Sequence, residues 1–262
     1  GGHRRGLPGL IVTFGNASSC ARRWLSSGGR GVDDSIRWVF LGAPGVGKGT
    51  YASRASKHFG VAHIATGDLI RAEMKAGSAL GTKISDVVNE GRLVPDDVIM
   101  ELLLRRLDEG GASGERGYIL DGFPRTRVQA QKLLSEQPIQ VAFNLGLREE
   151  VLVEKCLGRR LCRHCGKNYN LANIRLPAGD GKPEIIMPPL NPPPGCAPHL
   201  SKRDDDTEEV ILRRLQIYRQ QAGPVEDFFR KAGLLHDFEI TAGIPETLPS
   251  LLQTLQRFMS RP

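Results

Sequence analysis

Residues 42–50 read "GAPGVGKGT". Gly42, Gly47 and Lys48 fit the G-x-x-x-x-G-K opening of a phosphate-binding loop. Gly49 then follows the lysine, and Thr50 comes one place after the hydroxyl that ordinarily meets Mg²⁺. The stretch is preceded by the apolar run "IRWVFLG" (36–42) and followed by a helix-like segment, 49–59, that stops near Gly60. Strand, Gly-rich turn and helix N-terminus in that order let backbone N–H groups converge on phosphate oxygens, with Lys48 in reach of the β- and γ-phosphates. A Gly-rich turn also forms simply to join a strand to a helix, so other signals must decide.

Working outward, strands are expected at "VAHIAT" (61–66), "GYILDGFP" (117–124), "IQVAFNLGL" (139–147) and "LLHDFEIT" (234–241). Helices are expected from Asp68 to about Lys75, over "VPDDVIMELLLRRLDEG" with its Pro start and Gly stop, and over "EEVLVEKCLGRRL". "DTEEVILRRLQIYRQQ" reads as a helix interrupted at Gly223-Pro224, and a closing helix is expected near 246–259. Strands alternating with helices imply an α/β fold built on a parallel sheet flanked by helices. The alternation breaks at about 161–203, where "LPAGDGKPEIIMPPLNPPPGCAPH" has the composition of a linker or lid, not of core.

The chain has 262 residues, 40% of them hydrophobic and 25% charged, which suits one α/β domain with insertions. No apolar run is long enough to span a bilayer, which argues against membrane insertion. Of the net charge of +7, Arg4, Arg5, Arg22, Arg23 and Arg30 supply five, all within residues 1–32, which have no Lys, Asp or Glu. Residues 1–34 therefore read as a transit peptide or disordered leader, mitochondrial by its paired arginines, with chloroplast the alternative. The +2 that remains suits small anionic ligands and gives no case for nucleic acid.

Two further constellations bear on chemistry. In "DGFPR" (121–125), Asp121 ends an apolar strand, where a carboxylate would hold Mg²⁺ through water, and Arg125 lies just beyond on the ligand side. Arg159, Arg160, Arg203, Arg213 and Arg214 follow. Phosphoryl transfer asks mainly for positive donors placed where charge spreads, and planar guanidinium forks suit it. Each arginine alone would serve equally as a surface charge.

"GAPGVGKGT", "ATGDLIR" (65–71), "GRLV" (91–94), "DGFPRTRVQ" (121–129), "GRR" (158–160) and "KRDDDTEEVILRRL" (202–215) resemble adenylate kinases, in the same order. The likeness covers about 36–259 and is strongest to long-lid plant organellar forms. It implies a P-loop NTPase-type kinase domain over 35–262, with an NMP-binding helical insertion at about 65–95 and a lid at about 158–204. It implies a monomer that carries out Mg-dependent ATP + AMP = 2 ADP, with Gly-Thr as the normal ending of the loop. Carried over, Gly45, Val46, Gly47, Lys48, Gly49 and Thr50 form the ATP phosphate loop, with Arg159, Asn168, Tyr169 and Ile244 also on ATP. Thr66, Arg71, Arg92, Leu93, Val94, Gly122, Phe123, Pro124, Arg125 and Gln129 line the AMP site. Arg203 and Arg214 bridge AMP and the moving phosphoryl, and Lys48, Arg125, Arg159, Arg203 and Arg214 form the catalytic set.

Plainer roles also exist: an N-cap for Thr66, an exposed helix position for Gln129, and packing for Leu93, Val94, Tyr169 and Ile244. One departure stands out. The family's arginine that stacks on the ATP base is Lys155 here, four residues before Arg159 and on the same face if both are helical. The lid also carries Cys162, Cys165, Cys196 and His199 in C-x₂-C…C-x₂-H spacing, which is valid zinc arithmetic. The long Pro-rich stretch between the pairs favours a metal-free lid. Rival functions are GTP:AMP phosphotransfer, a zinc-containing nucleic-acid-binding module, and a simple P-loop hydrolase.

Overall fold

The computed structural model describes residues 35–90, 92–179 and 181–259. The expected leader, with Cys20, lies outside them, as does Gly91 of "GRLV". Strand β1 (Ile36–Gly42) is the centre of a five-stranded sheet of the described residues. β3 (Gly117–Asp121) and β2 (Ala62–Ala65) lie to one side; β4 (Val141–Gly146) and β10 (Leu235–Glu239) lie to the other. All pairings are parallel. Such a sheet needs cover on both faces, which explains why β1, Arg37 apart, is apolar without alternation. Trp38 and Phe40 enter one core with Tyr51, Phe143 and Leu255; Val39 and Leu41 enter the other with Leu103, Leu120 and Phe229.

Helix α1 (Lys48–Phe59) follows β1 directly. α2 (Thr66–Lys75) and α3 (Ala79–Asn89) form a helical excursion after β2, and α4 (Asp96–Ala112) returns the chain to β3. α5 (Arg127–Glu136) starts at the Thr126 cap, whose hydroxyl accepts from the Gln129 N–H at 3.1 Å. A short 3₁₀ turn, Glu149–Val151, and α6 (Leu152–Leu157) lead to the lid. α7 (Glu208–Lys231) and α8 (Ile244–Met259) complete the layers. No helix among the described residues is long and apolar enough to cross a membrane.

Local signals misplace several boundaries. Gly110 does not stop α4; the helix runs on to Ala112, and a side chain at Gly110 would collide with the Arg106–Glu115 ion pair. α7 continues through Gly223-Pro224, because Val225 and Phe229 are buried just beyond and their packing outweighs the hydrogen bond that proline deletes. The expected helix over 149–161 ends at Leu157; Arg159 and Arg160 belong to β5 (Arg159–Cys162). The 161–203 segment is no plain linker. β6 (Asn168–Asn170), β5 and β9 (Leu200–Ser201) form an antiparallel sheet. β7 (Ile174–Leu176) and β8 (Ile185–Met187) form a hairpin that buries Ile174, Ile185 and Met187 in the first core.

Candidate active site

The register of the sheet assembles the site. Phe40 of β1 pairs with Asp121 of β3, so the loop leaving β1 and the carboxylate ending β3 emerge side by side at the carboxyl edge. This is where open α/β sheets bind ligands. In the loop, Gly45 and Gly47 take φ of 88° and 103°, which side chains resist. At Gly45 a β-carbon would also stand 2.7 Å from the Leu152 carbonyl and 2.8 Å from Cys156 Sγ, so glycine is required by space as well. Val46 is fully buried and turns away from the cleft, leaving only its main chain for a ligand. Lys48 Nζ donates to the carbonyls of Gly42 at 2.7 Å and Ala43 at 3.0 Å. Burial pushes its ammonium down to about 8, with Arg125 and Arg159 adding to the effect and Asp121 opposing it.

Asp121 lies across from the loop, its Oδ2 3.4 Å from His63 Nε2. Burial works against its carboxylate, but the His63 hydrogen bond and the charges of Lys48 and Arg125 together hold it below the ordinary range. An ionised carboxylate beside a phosphate loop fits a water-mediated Mg²⁺ site. Thr66 is not a capping side chain: α2 begins at Thr66 itself, and its hydroxyl donates to the carbonyls of Gly122 at 3.1 Å and Asp121 at 3.3 Å. Gln129 is buried, not exposed. Its Oε1 accepts from the Arg125 N–H at 2.7 Å, and its Nε2 donates to Asp96 Oδ1 at 2.6 Å. Phe123 and Pro124 are buried around it, and Arg125 Nε donates to the Gly122 carbonyl at 2.7 Å.

Guanidinium groups crowd the opposite wall. Arg159 grips buried Asp206 with Nε–Oδ2 at 2.8 Å and a second bond from Nη2 to Oδ1. Arg214 donates to Asp205 at 2.6 Å. Arg203 donates to Asn168 Oδ1 at 3.1 Å, while its buried Nε has no partner. Burial, with Arg159 and Arg71 beside it, pushes Arg203 down to about 10. Arg125 is solvent-accessible through the cleft, yet the enclosing walls, then Arg214, lower its affinity for a proton. Arg71 is paired with Asp68, and Arg92, more exposed, with Glu90 at 2.6 Å.

One cleft takes in the phosphate loop, Thr66, Arg71, Arg92, Leu93, Val94, the 121–125 turn, Gln129, Arg159, Asn168, Tyr169, Arg203, Arg214 and Ile244. Every residue expected at a nucleotide site therefore lines a single cavity, Val46 excepted. Asp205 and Asp206, unflagged from sequence, hold Arg214 and Arg159; the run "DDD" (204–206) beside Arg203 was the signal available. Lys155 does line the cleft, though not for the helical reason given above, since Arg159 has left the helix. Its Nζ meets Met187 Sδ at 3.5 Å, and burial pushes it down to about 8.

The structure brings together only part of the zinc candidate set. The sulfur atoms of Cys162, Cys165 and Cys196 lie within 4.8 Å of one another, the one such cluster among the described residues. His199 is outside it, exposed and stacked on His164 at 5.5 Å between ring centres. Its backbone N–H closes a 3₁₀ turn on Cys196 at 3.0 Å. Three of the four zinc candidates are thus brought together, and His199 is not gathered with them.

The adenylate kinase family model matches residues 40–234. The chain belongs to the adenylate kinase family. It is similar to "Adenylate kinase 1, chloroplastic" of Arabidopsis thaliana, at 52% identity over 86% of this chain and 79% of that one. It resembles an adenylate kinase of Solanum tuberosum at 52% identity over 84% of this chain and 77% of the relative. An adenylate kinase of Thermodesulfovibrio yellowstonii is 38% identical over 85% of this chain and its own full length. Membership of this family makes the chain a nucleoside monophosphate kinase, a transferase acting between adenine nucleotides. It also accounts for the Gly-Thr ending of the loop that breaks the commoner pattern.

Proposed function

We propose that this chain catalyses reversible ATP + AMP = 2 ADP with Mg²⁺ and so balances adenine nucleotides. The observation that carries the reading is the convergence of Lys48, Arg125, Arg159, Arg203 and Arg214 on the one cleft that also holds the phosphate loop. Asp206 and Asp205 pair with two of these five cations, and the rest are costly in one cavity unless phosphates neutralise them. ATP then lies on the loop from Gly45 to Thr50, with Asn168, Tyr169 and Ile244 toward its base. AMP lies under the 65–95 insertion, its phosphate on Arg71 and Arg125 and its base near Leu93, Val94 and Gln129, with Arg92 at the rim. Thr66 holds the start of α2 against the 121–122 turn, which fixes the AMP floor.

The AMP phosphate attacks the γ-phosphoryl in line, and no side-chain nucleophile is needed. Magnesium bound with ATP would offset charge on the phosphates, and Asp121 is the residue to hold it through water. Lys48 and the arginines match the charge that spreads in the transition state. Asp205 and Asp206 fix the rotamers of Arg214 and Arg159 beforehand. The 158–204 lid closes over the donor and keeps water from competing with AMP. A monomer suffices, because one chain supplies every residue named. We further infer a plastid location, not the mitochondrial one read from the leader, because several similar plant enzymes carry "chloroplastic" in their names.

A coupled assay crossing nucleoside triphosphate donors with monophosphate acceptors tests the reading. ATP with AMP should be the best pair. Equal or better rates with GTP, or phosphate release without AMP, would overturn it. The buried lysine gives a second check. Lys48 carries its charge below about pH 8 in the free protein and loses it above. The ratio kcat/KM for ATP should therefore fall about tenfold per pH unit above roughly pH 8, whereas kcat holds to higher pH because bound phosphates restore the proton. A flat kcat/KM profile to pH 9.5 would remove Lys48 from the phosphate site.

A further inference from the structure

The three lid thiols are left over once the nucleotide site has taken its residues. Cys162 ends β5 and is buried, with its Sγ toward the Cys196 carbonyl at 3.9 Å. The chain then turns sharply, Gly166 N–H donating to the Cys162 carbonyl at 2.9 Å, and this turn carries Cys165 back over the strand. Cys196 arrives from the far side of the lid, just ahead of β9. Cys165 is exposed and Cys196 buried, and their sulfur atoms are 3.6 Å apart. With His199 turned out, the cluster has three thiols and no fourth nitrogen or oxygen ligand from the C-x₂-C…C-x₂-H set.

We propose that Cys165 and Cys196 are a reversible dithiol–disulfide pair that sets the affinity of the lid for the donor nucleotide. The sulfurs must close from 3.6 Å to about 2.05 Å, a movement within reach of side-chain rotation in a surface turn. The oxidant is a small disulfide such as oxidised glutathione. Exposed Cys165 attacks it as thiolate, forming a mixed disulfide and releasing one glutathione thiol. Cys196 then attacks the Cys165 sulfur, the protein disulfide forms, and the second glutathione leaves as thiol. Two protein thiols are oxidised, one small disulfide is reduced to two thiols, and the two protons lost by the cysteines end on the leaving thiols.

The coupling to the cleft runs through Tyr169. Its hydroxyl is 4.0 Å from Cys165 Sγ, and its ring lines the cavity. Tyr169 sits on β6, opposite Arg160 of β5, and the same ladder pairs Arg159 with Asn170. A disulfide draws Cys165 toward Cys196 and ties the turn after β5 to the entry of β9. Both outer edges of the small lid sheet are then constrained, and the sulfur that supports Tyr169 is displaced. The disulfide itself stands on sulfur geometry alone; its effect on ATP rests on the donor-site reading given above.

The test uses the full chain, first assayed for zinc, then equilibrated with graded ratios of reduced to oxidised glutathione, alkylated and mapped by mass spectrometry. The expected result is loss of two thiols and a Cys165–Cys196 linked peptide. The KM for ATP should rise at least threefold with the KM for AMP unchanged, and dithiothreitol should reverse it. Cys165→Ser, an exposed position, should show a KM for ATP that no longer changes with the glutathione ratio. Stoichiometric zinc that protects the thiols, a Cys162–Cys165 pair, a glutathione adduct that never resolves, or a disulfide that leaves the KM for ATP unchanged each overturns the proposal. A chain that forms the mapped disulfide yet never makes ADP from ATP and AMP would count against the donor-site reading, with the thiol chemistry intact.

Discussion

Arg125→Ala yields a folded protein whose turnover with ATP and AMP is lower by about 10³-fold. Among the described residues the side chain has one hydrogen bond, from Nε to the Gly122 carbonyl at 2.7 Å, and its guanidinium opens on the cleft. Removing that bond costs about 1 kcal/mol at most, because the Gly122 carbonyl also accepts from Thr66. Part of the loss is offset, since Arg214 and Arg71 no longer face a like charge. Turnover has no such compensation: a planar donor next to the AMP phosphate is missing when charge redistributes. Arg125→Lys should recover only a minor part, since an ammonium cannot form two parallel bonds to one phosphate. Circular dichroism melting and steady-state kinetics on the same preparation check this. An alanine variant within tenfold of wild-type turnover would remove Arg125 from the reacting centre.

How much of this was readable in advance follows from the range of each interaction. The β1–loop–α1 unit was legible because strand, glycines and lysine are contiguous and each obeys a local rule. "DGFPR" was legible because it ends an apolar run. The roles expected at Gln129 and Thr66 survived as cleft positions, but their plainer readings failed. Periodicity does not show that α5 turns Gln129 inward onto Asp96, or that α2 starts at Thr66 itself. Arg159 was assigned to a helix because nothing in "EEVLVEKCLGRRL" marks where β-pairing with residues 168–170 takes over. Asp205 and Asp206 received no role, since their arginine partners lie 9 and 47 residues away in sequence. The strands of the lid were not legible because Pro and Gly dominate its composition, while its few buried residues, Ile174, Ile185 and Met187, decide its packing. His199 satisfied a spacing rule, but ligand spacing does not fix where an imidazole points.

The cost of assembling the cation cluster should be measurable at Arg203. Its Nε is buried without a partner, its guanidinium donates to Asn168, and burial with Arg159 and Arg71 pushes its proton affinity down to about 10. The folded state therefore holds the Arg203 proton less tightly than the unfolded state does. That penalty is fully present at every pH below about 10 and shrinks as pH rises above it. Arg203→Met keeps most of the volume and removes the charge, at the cost of leaving Asn168 Oδ1 one donor short. The unliganded variant should gain ~1–2 kcal/mol, or roughly 2–4 °C in Tm, after solvent screening is allowed for. Turnover should fall by about 10³-fold over the same substitution. Ligand should reverse the order of stability: with ATP and AMP saturating, the wild type gains phosphate partners for all its cations, and the variant gains fewer. Thermal melts with and without nucleotides decide the matter. A variant less stable than wild type in the absence of ligand would mean that Arg203 is held by the fold for the fold's sake, and the cluster would lose its standing as charge stored for phosphate.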